Sequence, residues 1–191
     1  DRLQRHFATL ATPFPETDIL RHIYQNLMEG PLSTFSAPMR DALPSIVNAA
    51  CAVHVSVAET FFPTAIKFHY QWNLRAMASV FQGLVNMVPG AYKDPLTMSR
   101  LWLHETMRVY GDRMTDESDV ARFTEIVTAK SKEHLGSFKE DDLLASPNLF
   151  CTFVEDDDAK RYLPIKDWDH LSGILEHKLH EYNESFAMMN L

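Results

Sequence analysis

The sequence predicts a mainly α-helical chain with a buried core, and three observations carry that prediction. Apolar residues recur at every third or fourth position through most of the chain, as they do along one face of a helix. Several of these runs start at a capping side chain or a proline and stop near a glycine, which is the usual order of helix signals. Strand-like runs occur only near the N-terminus and near residue 150. With 191 residues and 46% apolar content, the chain can bury such a core.

The first half of the chain predicts one strand and three helices. Residues 7–11 (FATLA) form a short apolar run that ends at the PFP break, which favours a strand. The spacing that follows predicts a helix from Pro15 to about Gly30. It also predicts a long helix over residues 37–62, kinked or restarted at Pro44. A third helix is predicted to begin at Asn73, because an asparagine side chain can accept a hydrogen bond from the first free amides.

The second half of the chain predicts three more helices. One begins at the Asp94-Pro95 pair, a cap followed by a first-turn proline, and runs to about Gly111. The next spans residues 116–135, with acids in its first turn and lysines near its end, as the helix dipole favours. A loop-like acidic region with the second strand-like run precedes a last helix, which starts near Asp167. The apolar residues that this helix is predicted to bury are Leu171, Ile174, Leu175, Leu179, Tyr182 and Phe186.

Composition argues against several classes of function. The net charge is −8 and the basic residues are scattered, which argues against a nucleic-acid partner. No window approaches about 18 uninterrupted apolar residues, and the N-terminus lacks a signal-peptide pattern, so we expect no membrane partner and a cytoplasmic setting. Cys51 and Cys151 have no CxxC spacing, and we interpret both as buried free thiols.

The helix that begins at Asp94 carries a polar stripe that falls short of a metal motif. His104 and Glu105 start an HExxR sequence, in which Arg108 stands where a zinc protease needs its second histidine. Together with Arg100, one turn earlier, this stripe is most simply interpreted as an intrahelical ion-pair face.

Other metal and phosphate motifs are also incomplete. His177, His180 and Glu181 share a polar helix face with no further metal ligand nearby, and we expect them to be solvated. None of the six glycines opens a GxxxxGK[ST] or GxGxxG motif, so the chain cannot cradle nucleotide phosphates with a loop of its own. We therefore expect no metal to be held by this chain.

Arginines are the remaining candidates for chemistry. Arg75 lies near a predicted helix N-terminus, where free amides and the dipole favour an anion. The spacing alone favours an ordinary surface arginine or ion pair over a phosphate contact. Arg2 and Arg5 are equally ambiguous: they are an exposed pair, or fingers that reach a nucleotide brought by another module.

Five segments of the chain resemble consecutive pieces of an axonemal dynein heavy chain. They are RLQRHFATLA, FPTAIKFHYQWNLRAMASVFQGL, LWLHETMRVYGDRM, SPNLFCTF with YLPI, and EYNESFAMMNL. The resemblance covers nearly the whole chain in unbroken order, and it matches the end of the third AAA+ module up to the entry of the fourth.

This resemblance implies a division of the chain. Residues 1–12 would end the large α/β subdomain of an AAA+ module, with its last strand at residues 7–11. Residues 13–140 would be the small helical lid subdomain, and residues 141–191 the linker and first helix leading into the next module.

The resemblance also implies roles for three arginines. Arg75 matches the second-sensor arginine, which approaches the nucleotide phosphates of its own module, with the aromatic run before it packing in the lid and aiming it. Arg2 and Arg5 match the arginine-finger region, which reaches the nucleotide of the preceding module. The nucleotide would be ATP or ADP with Mg²⁺, held only in the complete module, so we expect no ATPase activity from this chain alone.

The implied function is that of a part of a ciliary motor. The lid would close over nucleotide and relay its state between neighbouring AAA+ modules of one heavy chain, which works on microtubules with other dynein arm subunits in the cytoplasm and the axoneme of cilia or flagella. A free-standing helical interaction scaffold without a nucleotide role is the alternative. A metal-dependent hydrolase is a third hypothesis, which metal analysis would test.

Overall fold

The computed structural model describes residues 2–155 and 160–189, which form helices and one small sheet. The α-helices are α1 (Thr17–Leu32), α2 (Ala37–Thr60), α3 (Leu74–Val85), α4 (Pro95–Tyr110), α5 (Glu117–His134), α6 (Glu140–Leu143) and α7 (Trp168–Met189). Strands β1 (Phe150–Cys151) and β2 (Leu163–Pro164) pair antiparallel. Short 3₁₀ turns occupy Gln4–His6 and Gly111–Arg113. The predicted mainly α fold is confirmed.

Helix α2 lies at the centre of the core, where it packs against α1, α4 and α5. Its residues Met39, Ile46 and Val57 are completely buried, and Trp102 of α4 and Phe123 of α5 are buried as fully. Within the described residues, α2 is also the helix whose length and hydropathy would let it cross a membrane, but 50% of that stretch is buried inside the structure. Its apolar composition is thus accounted for by its place in the core.

Helices α3 and α4 begin as the sequence predicts and pack closely against each other. The Asn73 side chain accepts a hydrogen bond from the amide of Arg75 at 3.1 Å, and Asp94 accepts one from the amide of Thr97 at 2.8 Å. At Gly83 the two helices approach so closely that an added Cβ would lie 2.2 Å from a side-chain carbon of Glu105 on α4. The relative position of α3 and α4 is therefore fixed.

A strap, defined as residues 142–155 and 160–165, crosses α4 and contains both strands. Arg100 on α4 donates hydrogen bonds to the carbonyl oxygens of Asp142, Ala145 and Pro147 at 2.8, 2.9 and 2.8 Å. Asn148 donates in return to the carbonyl oxygen of Arg100 at 3.0 Å. One arginine thus satisfies three backbone acceptors that no helix or sheet pairs, which holds the start of the strap on α4.

Two predictions about the first 35 residues need correction. The strand predicted over residues 7–11 is not formed; Phe7 and Leu10 are 73% and 89% exposed, and no described strand lies beside them to complete a ladder. Helix α1 continues past Gly30 through Pro31, since Leu32 is 1% exposed and draws the last turn into the core.

The predicted burial of the last helix is also wrong. Helix α7 forms where it was expected, but Leu175, Leu179, Tyr182 and Phe186 are between 50% and 65% exposed, and Leu171 and Ile174 are only half-buried. Apolar spacing predicts which face of a helix would be buried, and it does not supply the surface that buries it. The described elements leave Leu179 and Tyr182, in the C-terminal half of α7, mostly exposed.

Candidate functional site

A cavity of about 660 Å³ opens between the start of α3 and the end of α4. This size falls within the range of small-molecule sites. Three arginines line it, and none of its lining residues is acidic. The lining residues are Phe68, His69, Gln71, Asn73, Arg75, Ala76, Ser79, Arg108, Val109 and Arg113. This cavity is called the arginine pocket below.

Arg75 is the exposed cation on the α3 side of the arginine pocket. The cap made by Asn73 fixes its backbone at the second residue of α3, and Ser79 donates to its carbonyl oxygen at 2.9 Å. Its guanidinium makes no hydrogen bond or ion pair within the described residues. An unpaired guanidinium beside a helix N-terminus is suited to bind an anion.

Arg108 faces the arginine pocket from the α4 side and is held by a buried acid. Its Nε and Nη2 atoms donate to one oxygen of Glu105 at 3.0 and 2.6 Å. The Glu105 side chain is 2% exposed, whereas that of Arg108 is 51% exposed. The hydrogen bonding of the Arg108 guanidinium to the Glu105 carboxylate, which accepts, raises the pKa of Arg108, which therefore stays charged.

Arg113 joins the two walls of the arginine pocket. It donates to the carbonyl oxygens of His69 and Gln71 at 2.8 and 3.3 Å, and its guanidinium lies 4.7 Å from the ring centroid of Trp72. These contacts tie the segment that leads into α3 to the residues that follow α4. Arg113 adds positive charge to the pocket, because its partners here are neutral.

The aromatic run before α3 packs largely as the sequence predicts. Tyr70 is 2% exposed and donates to Asp119 on α5 at 2.7 Å, and Trp72 donates to the carbonyl oxygen of Phe61 at 2.7 Å. Phe68 differs, since it is 71% exposed and lines the arginine pocket. Two of the three rings thus fix the position from which α3 starts.

The polar stripe of α4 is more than the intrahelical face that the spacing suggested. Only Glu105 and Arg108 form an ion pair within the helix. The hydroxyl of Tyr162 in the strap donates to the other oxygen of Glu105 at 2.6 Å and lies 3.0 Å from Nε2 of His104. Burial lowers the pKa of His104. Sequence reasoning missed this contact because Tyr162 lies 57 residues from Glu105. The signal available was an acid one turn from the apolar residues Leu101 and Val109.

The structure does not bring the N-terminal arginines to this site. Arg2 and Arg5 are exposed, and neither lines the arginine pocket. The Nε atom of Arg5 lies 3.3 Å from a ring nitrogen of the adjacent His6. Any role of Arg2 or Arg5 therefore concerns a ligand outside the arginine pocket.

The remaining candidates show ordinary surface or core environments. His177 and His180 lie 3.8 and 3.2 Å from Glu181 and Glu184 on the exposed face of α7. Within residues 2–155 and 160–189, no group of three His, Cys, Asp or Glu side chains could hold a metal. Both cysteines are free, Cys51 buried and Cys151 half-buried; burial raises the pKa of Cys51 to about 11, which keeps that thiol protonated.

Comparison with known proteins assigns this helical chain to a family. The family model described as "AAA+ lid domain" matches residues 46–146, which is more than half of the chain, so the chain belongs to the AAA+ lid domain family. Over its whole length the chain is also 42% identical to dynein axonemal heavy chain 17 of Mus musculus. It is 40% identical to the ciliary dynein beta chain of Tripneustes gratilla and 36% identical to the flagellar outer arm dynein beta chain of Chlamydomonas reinhardtii.

These comparisons confirm the resemblance to axonemal dynein heavy chains. Each match includes all of this chain, and the chain spans 4% of the length of each of these relatives. The alternative of a free-standing helical interaction scaffold is not favoured, because the similarity runs without interruption through the lid and the segment after it.

Proposed function

We propose that this chain is the lid and linking segment of an AAA+ module in a ciliary dynein heavy chain, and that Arg75 binds a phosphate of the nucleotide held by that module. The single observation that carries the proposal is the unpaired Arg75 guanidinium at the start of α3, in a cavity with three arginines and no lining acid. The names of the relatives support the parent, an ATP-driven microtubule motor of the axoneme.

The chain supplies one side of the nucleotide site. It contains no glycine-rich phosphate loop, so the remaining contacts to ATP or ADP and to Mg²⁺ come from other parts of the complete module. Guanidinium groups stabilise charge on phosphate oxygens, both in binding and during transfer. A lid that carries such a group responds to whether a phosphate is present and passes that state on by rigid-body motion.

We propose a division of the chain into three parts, whose second boundary falls within the short helix α6. Residues 1–12 end the large α/β subdomain, residues 13–140 form the lid with helices α1 to α5, and residues 141–191 lead into the next module through the strap and α7. We propose that the lid is that of the third AAA+ module, as the resemblance of the sequence segments implies. The exposed apolar face of α7 supports this division, because a linking helix would be covered by the module that it enters.

The N-terminal arginines have a different proposed role. Arg2 and Arg5 are exposed, and among residues 2–155 and 160–189 neither forms an ion pair, which suits an arginine finger that reaches the nucleotide of the preceding module. Removing the finger should slow ATP hydrolysis in the complete heavy chain and leave nucleotide affinity at the arginine pocket unchanged. Single Arg2→Ala and Arg5→Ala variants identify which of the two acts.

The proposal for Arg75 is tested with Arg75→Ala in the complete heavy chain. A hydrogen bond between charged groups is worth about 1.5–3 kcal/mol, so ADP affinity at this module should fall about 10-fold or more. Arg122→Ala is the matched control, because Arg122 is exposed on α5 and does not line the arginine pocket. Equal ADP affinity and equal microtubule gliding velocity in the two variants would show that Arg75 has no sensor role.

A further inference from the structure

We propose that Arg108 is a second anion-binding residue of the arginine pocket, where it shares a nucleotide phosphate with Arg75. This inference rests on the proposed function, which places a nucleotide in the arginine pocket. It adds a residue on a second helix and so makes the site span α3 and α4.

The hydrogen bonds of Arg108 leave one edge of its guanidinium available. Nε and Nη2 are both engaged by Glu105, and Nη1 has no partner within the described residues. The side chain of Glu105 is 2% exposed, so the guanidinium of Arg108 is held on its protein side by a buried carboxylate. The side chain of Arg108 itself is 51% exposed and lines the arginine pocket. A planar guanidinium held along one edge presents its remaining donors in a fixed direction.

The position of Glu105 is itself secured from two sides. The hydroxyl of Tyr162 donates to its second oxygen at 2.6 Å, and the absence of a side chain at Gly83 leaves room for its carboxylate. Tyr162 is held in turn by Tyr92, whose hydroxyl donates to the carbonyl oxygen of Tyr162 at 2.7 Å. Arg108 therefore does not need to be ordered when an anion binds, which lowers the entropic cost of binding.

The charge pattern around Arg108 fits an anion between two cations. Arg75 and Arg108 line the same cavity from neighbouring helices, and Glu105 lies behind Arg108, outside the lining. Arg108 and Ser79 also line an adjoining cavity of about 410 Å³, and Glu105 lines that second cavity and not the arginine pocket. A phosphate group offers three oxygens and can accept from guanidinium groups on both walls.

The test compares Arg108→Lys with Arg122→Lys in the complete heavy chain. Arg108→Ala would leave Glu105 buried without its partner and could unfold the lid, whereas lysine keeps the charge and the pair with Glu105. A lysine ammonium cannot hold Glu105 along one edge and present a fixed second edge to a ligand. We expect Arg108→Lys to weaken the affinity for ADP about 10-fold. The affinity for adenosine, which has no phosphate and is measured by competition, should stay unchanged.

Three results would overturn the inference in distinguishable ways. Equal losses for ADP and adenosine would assign Arg108 a merely structural role. Normal ADP binding in Arg108→Lys, with a loss in Arg75→Ala, would remove Arg108 from the site and leave the proposed function standing. Normal ADP binding in both variants would overturn the proposed function and this inference together.

Discussion

Replacing Gly83 with alanine should destabilise the lid, although alanine is the better helix former. The new Cβ would lie 2.2 Å from Cδ, 2.4 Å from Cγ and 2.4 Å from Oε2 of Glu105. Ordinary contacts start near 3.4 Å, so the Glu105 side chain would have to move by about 1 Å. It cannot do so freely, because Arg108 and Tyr162 both hold its carboxylate.

The expected cost is the balance of three effects. Overpacking a core contact typically costs about 1–3 kcal/mol. Weakening the hydrogen bonds of the buried Glu105 carboxylate adds about 1–3 kcal/mol, and exchanging glycine for alanine inside α3 returns about 1 kcal/mol. The free energy of unfolding should therefore fall by about 1–5 kcal/mol in Gly83→Ala.

Urea unfolding of four proteins measures this effect: the unchanged chain, Gly83→Ala, Glu105→Ala and the double variant. Glu105→Ala removes all three atoms that would clash with the new Cβ. In that background Gly83→Ala should be neutral, or stabilising by up to about 1 kcal/mol, because only helix propensity remains. If Gly83→Ala costs the same in both backgrounds, the contact between Gly83 and Glu105 does not set the packing of α3 on α4.

Two further predictions concern buried polar groups. Tyr162→Phe keeps the ring and removes the hydroxyl that donates to Glu105. The free energy of unfolding, measured by urea titration, should therefore fall by about 1.5–3 kcal/mol. An unchanged unfolding midpoint would show that this hydrogen bond does not stabilise the fold. His54 is 1% exposed with Nδ1 2.8 Å from the hydroxyl of Tyr110, and burial lowers its pKa below the ordinary value of about 6.5. Between the two pKa values, the unfolded chain therefore binds a proton at His54 more readily than the folded chain does. The free energy of unfolding decreases as the pH falls from about 6.5 toward the lowered pKa of the folded state, by at most about 1.4 kcal/mol per pH unit. His54→Gln should make stability less dependent on pH between 6.5 and 5, and an unchanged slope would exclude His54 as a source of acid sensitivity.

Local signals made the helix starts predictable. Asn73 and Asp94 cap the helices that follow them, because a cap depends on a side chain and the amides two or three residues away. The position of Arg75 at the start of α3 follows from the first of these caps. The candidate site was therefore predictable to the extent that it depends on one helix end.

Long-range contacts were not predictable from spacing. The three carbonyl partners of Arg100 lie 42 to 47 residues away, and the contact of Glu105 with Tyr162 joins residues that are 57 apart. A stripe of polar residues at one-turn spacing is the same in sequence whether it faces water or a strap. The grouping of Arg75 and Arg108 in one cavity also depends on how α3 packs on α4, which the periodicity of either helix leaves open.

Two failed predictions have a common physical cause. Residues 7–11 have strand-like composition and α7 has a well-spaced apolar face, but a strand needs a neighbouring strand and an apolar face needs a surface. Among the described residues no strand pairs with residues 7–11, and Leu175, Leu179 and Tyr182 of α7 stay mostly exposed. The sequence pattern thus predicted that residues 7–11 could pair and that α7 could pack. The described elements provide neither the partner strand nor the burial that was predicted.

The bonds of Arg113 to the carbonyl oxygens of His69 and Gln71 limit how the arginine pocket can respond to a ligand. They clamp the entrance of α3 to the exit of α4, and the Gly83 contact locks the same two helices further along. Because these two contacts join α3 and α4 at different points, the arginine pocket cannot widen or narrow unless one of the contacts breaks. We therefore expect that a phosphate bound by Arg75 would move α3 and α4 together as one rigid body. The strap would move with them, because Arg100 holds it on α4.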